Sequence, residues 1–127
     1  MSGVLVDTSV WIDHFRNRNE ALENLLSLDL ALTHPMVIGE IACGTPPAPR
    51  TQTLGDLGLL PTTQHASLHE TMALIEREAM YGMGCGFVDL ILLASTLMTP
   101  GTTLWTLDKY LAKLAGRFGV AHRVAVH

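Results

Sequence analysis

The first apolar run, Val4-Leu5-Val6, is short, rich in β-branched residues and halts at Asp7, with Thr8 and Ser9 behind it. Such a run predicts a buried strand, here one with a carboxylate at its tip. From Val10 the apolar positions change period. Val10, Trp11 and Phe15 share a helical face, and after the polar break Asn17-Arg18-Asn19, Ala21, Leu22, Leu25, Leu26 and Leu28 resume the same spacing. Thr8 or Ser9 suits the cap of the first helix; the plainer reading makes Asp7 itself the cap. Residues 30–33 predict a second strand, and Pro35 opens a helix to Cys43 at a position where no N–H is needed. A helix over 51–60 is weakened by Gly55 and Gly58, and a short edge strand is expected over 59–62. From 65 to 81 the pattern is amphipathic, with Leu68, Met72, Ile75 and Ala79 inward. Residues 87–94 are apolar on every side, as a buried helix is. A strand over 102–107 ends at Asp108, repeating the acid at the tip; a helix over 109–118 turns Leu111, Leu114, Ala115 and Phe118 inward, and 120–126 predict a last strand.

Strands alternating with helices along the whole length call for an α/β fold: a three-layer sandwich with a mainly parallel central sheet and helices on both faces. The 127 residues fit one domain, 1–127. Composition changes this picture in a few places. Hydrophobic content of 48% against 16% charged is high, yet the longest uncharged stretches are broken by His, Pro, Gly, Ser and Thr, so no membrane span is expected. The surplus apolar surface then belongs to an oligomer or partner interface. Asp7 and Asp13 interrupt any leader-like start, which points to the cytoplasm. Cys43 and Cys85 are expected as small buried thiols rather than a bridge. A net charge of -4 argues against holding nucleic acid by bulk electrostatics. A polyanionic substrate would need a metal or a local basic patch.

The candidate chemistry lies in four carboxylates. Asp7 and Asp108 stand at strand tips, which right-handed crossovers bring to one sheet edge. Glu40 and Asp89 are single charges on apolar helices, costly there unless paired, protonated or bound to a cation; Asp89, in a first turn, also suits the helix dipole. Four converging acids repel one another unless a cation joins them. Oxygen donors alone select Mg²⁺ or Mn²⁺, and such a site suits hydrolysis of a phosphodiester. The remaining polar features carry less. The glycine-rich loop 81–86 lacks a dinucleotide fingerprint. His65 and His69 are four apart but lack a third ligand, so a solvated helix start is expected. Lys109, Lys113, Arg117 and Arg16 form either a phosphate-contacting rim or a solvated face.

The segments 4–13, 35–41, 84–90 and 104–109, read in that order, resemble the PIN domain, and more narrowly the VapC-type toxins of bacterial toxin–antitoxin pairs. The similarity covers nearly the whole chain. It implies an endoribonuclease that uses Mg²⁺ or Mn²⁺, is a homodimer, is silenced by a VapB-like antitoxin and meets promoter DNA only through that antitoxin. Asp7, Glu40, Asp89 and Asp108 fall on the family's acidic, metal-holding positions, and Thr8 and Thr106 on its supporting hydroxyls. Lys109 and Tyr110 stand where many relatives carry a further Asp or Asn, a departure that bears on a second ion. Two other functions compete. A phosphatase with Asp7 as covalent nucleophile would need an acid two residues on, where Ser9 stands. A non-catalytic antitoxin- or DNA-binding module would have no use for the full set of acids.

Overall fold

The computed structural model describes residues 3–124. Strand β1 (Gly3–Val6) is the centre of a three-stranded parallel sheet, flanked by β2 (Ala31–Leu32) and β3 (Thr102–Trp105) in the order β2-β1-β3. Val4, Leu5 and Val6 are all buried. Because successive strand residues point to opposite faces, both faces of the sheet are covered and the architecture is three layers. The helices are α1 (Thr8–Asn17), α2 (Glu20–Ser27), α3 (Pro35–Cys43), α4 (Arg50–Leu57), α5 (Leu68–Arg77), α6 (Phe87–Leu97) and α7 (Lys109–Arg117). The most buried is α6, with Leu90 through Thr96 out of solvent, which explains why no polar stripe interrupts its sequence. No helix among the described residues is long and apolar enough to cross a membrane.

The structure departs from expectation in three places: the outer strands, helix α5 and the cysteines. The edge strands expected over 59–62 and 120–126 reduce to single bridges, Thr33 with Thr62 and Leu104 with Ala121. At the first, Pro61 offers only its carbonyl, to the Thr33 N–H at 2.9 Å, so pairing does not propagate. At the second, only Leu104 exchanges backbone bonds, with Val120 and His122, and residues 125–126 of the expected strand lie outside the described residues.

Helix α5 is shorter and rotated: Thr71 and Leu74 face inward, while Leu68 and Met72 are 60% and 53% exposed. The cause is the capping box of Ser67 and Glu70, which sets the start of the helix, while Thr71 Oγ1 donates to the Ser67 carbonyl and so enters the core satisfied. His65 therefore precedes the helix and does not share a face with His69. The cysteines are free, but neither is sealed in the core: Cys43 is exposed as the last residue of α3 and Cys85 half-buried before α6. Of the two caps the sequence offers for α1, Asp7 is the one used, its side chain accepting from Ser9 N.

Candidate active site

Sheet pairing carries Asp7 to its position. Its N–H donates to the Trp105 carbonyl at 2.9 Å, so the β1–β3 ladder runs up to the acid and sets it beside the tip of β3. The residue is 4% exposed, and its Oδ2 accepts from Ser9 N (3.3 Å), Ser9 Oγ (2.7 Å) and Thr106 Oγ1 (2.8 Å). Three donors offset the loss of water around this buried side chain. All three reach the same oxygen. Oδ1 has no donor among the described residues, and it is not among the sealed, unpartnered polar atoms, which are Trp11 Nε1 and Thr33 Oγ1 alone. It therefore opens to accessible space.

The two hydroxyls bind the strand tips together. Thr106 Oγ1 accepts from Asp108 N at 3.0 Å and lies 3.3 Å from Ser9 Oγ, which accepts from Leu107 N at 2.9 Å. Asp108 is then held as the cap of α7, its Oδ1 accepting from Tyr110 N at 2.8 Å and Leu111 N at 3.0 Å. Glu40 comes from the exposed side of α3, where Thr8 Oγ1 donates to its Oε1 at 2.6 Å. Asp89, in the first turn of α6, accepts from Gly86 N at 3.2 Å. Burial is the largest influence on Asp89 and raises its pKa; the Gly86 N–H opposes this, and the charges of Asp7, Asp108 and Glu40 raise it further. Three of the sequence-derived acids thus act on the fourth, Asp89, and the supporting threonines bond to two of them, Thr8 to Glu40 and Thr106 to Asp7.

Each acid commits one oxygen to a protein donor and leaves the other without one among the described residues. Among those residues, no three His, Cys, Asp or Glu side chains stand closely enough to hold an ion as they are. The donor set still fits one: oxygens only, one free on each carboxylate, and a mutual repulsion that a hard divalent cation would relieve. Asp13 stands apart, accepting from Asn19 Nδ2 at 3.0 Å.

Two contributing residues were not read as part of the site from the sequence. Ser9 bonds Asp7 and Leu107 at once; its signal was the symmetry of a hydroxyl two after the first tip acid and another two before the second. His34 is buried and caps α3, its Nδ1 accepting from Met36 N at 3.0 Å while Nε2 meets Ser95 Oγ at 3.1 Å. It therefore ties the helix carrying Glu40 to the helix carrying Asp89. Burial, with the nearby His65, lowers its pKa to about 4, so the ring is neutral. With Nδ1 accepting, the proton sits on Nε2 and goes to Ser95.

The PIN domain family profile matches residues 4–117. Two curated proteins, each named Ribonuclease VapC32, from Mycobacterium tuberculosis strain CDC 1551 / Oshkosh and strain ATCC 25618 / H37Rv, are similar to the chain. Each is 39% identical over 120 residues, covering 93% of this chain and 94% of theirs.

Proposed function

The chain belongs to the PIN domain family, and on that premise we propose that it is an endoribonuclease toxin of a toxin–antitoxin pair, dependent on Mg²⁺ or Mn²⁺. The observation that supports the reading is that Asp7, Asp108 and Glu40 lie near enough to Asp89 for their charges to raise its pKa, each of the four acids having an oxygen without a donor among the described residues. Asp7 and Asp89 are the inner ligands, Glu40 and Asp108 the outer pair that bind directly or through water. When bound, the cation supplies charge neutralisation at the phosphate and a more acidic water.

The chain's own residues do the rest. Ser9 and Thr106 hold Asp7 Oδ2 and so aim Oδ1 at the mouth. Thr8 holds Glu40 Oε1 and leaves Oε2 to orient water. Asp89, whose pKa is raised by burial and by its acidic neighbours, has a charge that a cation would relieve. Ser9 Oγ, which donates to Asp7, cannot serve as the second acid that a phosphatase with an Asp nucleophile requires. The partners that go with this reading are RNA as substrate, a VapB-like antitoxin as inhibitor, and a second copy of the chain in a homodimer. We read residues 1–127 as one ribonuclease domain working in the cytoplasm.

The test is cleavage of total RNA by the purified chain with Mg²⁺ or Mn²⁺ and with excess chelator. Asp7→Asn and Asp89→Asn should abolish cleavage while leaving circular dichroism unchanged. Full cleavage in chelator, or by either variant, would refute the metal site.

A further inference from the structure

Beside the acids lies a cleft of about 760 Å³, floored by Gly82, Met83 and Gly84 and walled by Tyr110, Lys113, Leu114 and Arg117 of α7, with Lys109 outside it at the Asp108 end of the same helix. Its two sides lead straight to the site. The glycine loop runs into Gly86, which holds Asp89, and α7 begins on Asp108. The Cys85 thiol between them has its pKa raised by burial first and then by the charges of both Asp89 and Asp108.

The charge of this wall is unlike the rest of the molecule. The chain is acidic, yet no Asp or Glu follows Asp108, and its only lysines, Lys109 and Lys113, lie one helical turn apart on α7. Both are exposed, and neither has an acidic partner among the described residues, where the ion pairs are Arg18–Glu23 and Arg77–Glu78. Arg117, the next basic residue along, closes the far end of the cleft and is partly engaged there, donating to the Glu78 carbonyl and lying over the Phe118 ring. Between the lysines' levels stands Tyr110, half exposed, with the Lys109 ammonium 5.2 Å from its ring centre. The ring rests on Gly84, where a Cβ would come within 3.0 Å of it. Only glycine, here at φ +81°, permits that seat.

We propose that this cleft seats a single-stranded stretch of the RNA next to the cut phosphodiester, with Lys109 and Lys113 on phosphates and Tyr110 stacking one base over the glycine loop. The proposal rests on the ribonuclease reading and adds to it the strand's path. Charge complementarity selects a polyanion, and a half-exposed tyrosine between two cations selects one whose bases are free to stack. The face works without the metal, because it lies on the lysines and the ring rather than on the acids.

The test is fluorescence anisotropy of a labelled ten-nucleotide oligouridylate in chelator, where no cutting occurs, over a range of salt. Lys109→Gln with Lys113→Gln should weaken binding on the order of tenfold or more and lower the salt slope by about 1.4, the value of two single-strand phosphate contacts. Tyr110→Leu should weaken binding on the order of tenfold without changing the slope, and Tyr110→Phe should restore it. Arg18→Gln with Arg77→Gln, both in ion pairs with surface glutamates, should do neither. Unchanged affinity and slope in the lysine and Tyr110→Leu variants, or equal loss in the arginine variant, would overturn the proposal. So would wild-type affinity for oligoglutamate equal to that for RNA with the same need for Tyr110, which assigns the face to an acidic peptide. If the wild type cuts RNA and these variants cut it with unchanged KM, only the strand path fails. If the wild type cuts no RNA with metal present, the ribonuclease reading fails with it.

Discussion

Acid should unfold this protein through His34 before its carboxylates account for it. The folded ring has its pKa lowered from 6.5 to about 4 by burial and by His65. Between those values the unfolded chain binds a proton that the folded chain refuses. The stabilisation is therefore fully present above pH 6.5, is lost as pH falls through that window, and is gone near pH 4. A difference of roughly 2.5 units at 1.36 kcal/mol each amounts to about 3 kcal/mol. The geometry gives the same answer: a proton on Nδ1 would face the Met36 N–H it now accepts from, two donors meeting inside the core.

The assay is urea unfolding followed by the fluorescence of Trp11 and Trp105, both buried, at about pH 7.5, 5.5 and 4.5. The reference is His34→Asn, which keeps a capping acceptor but cannot titrate, and which loses the bond to Ser95. Subtracting its stability from that of the wild type at each pH removes the carboxylates and His122. The difference should favour the wild type by about 1 to 3 kcal/mol at the highest pH and shrink by about 3 kcal/mol toward pH 4, even reversing sign. A difference that stays flat with pH would refute the assignment of a neutral, Nδ1-accepting ring.

Three further outcomes follow from the site. Because the Asp89 pKa is raised in the metal-free site, protons should compete with the cation there, so the Mn²⁺ concentration for half-maximal cleavage should climb as pH falls, starting at a higher pH than an exposed aspartate would set; Mn²⁺ titrations at several pH values check it, and a midpoint that does not move with pH would count against it. Ser9→Ala and Thr106→Val each remove a donor from Asp7 Oδ2, and Thr106→Val also strands the Asp108 N–H. Each should cost about 1 to 3 kcal/mol of stability and weaken metal dependence more than RNA binding, as read by thermal melting and by titration of Mn²⁺. Gly84→Ala, strained at its positive φ and pressing on the Tyr110 ring, should destabilise the loop by about 1 kcal/mol or more and raise KM for RNA with little change in kcat.

Local pattern carried much of this protein. The helical stripes of α2, α3 and α7, the all-apolar α6 and the runs that end in Asp7 and Asp108 were readable because burial repeats at the period of the element. The acids, too, were visible as charges where apolar residues belonged. What pattern could not supply was anything decided by a distant partner. The face of α5 turned on whether Thr71 found an acceptor in Ser67, and the outer strands stopped where Pro61 and Leu104 ran out of donors and acceptors to exchange. Ser9 and His34 looked like ordinary polar residues until β3 and α6 arrived against them, since a hydrogen bond across 98 or 61 positions leaves no trace in local spacing. The sequence by itself determined which residues are acids, which are apolar, and the order of strands and helices. Only the tertiary structure decided which oxygen of each acid is spent on the protein and which is left free, because that choice belongs to donors brought in from elsewhere in the chain.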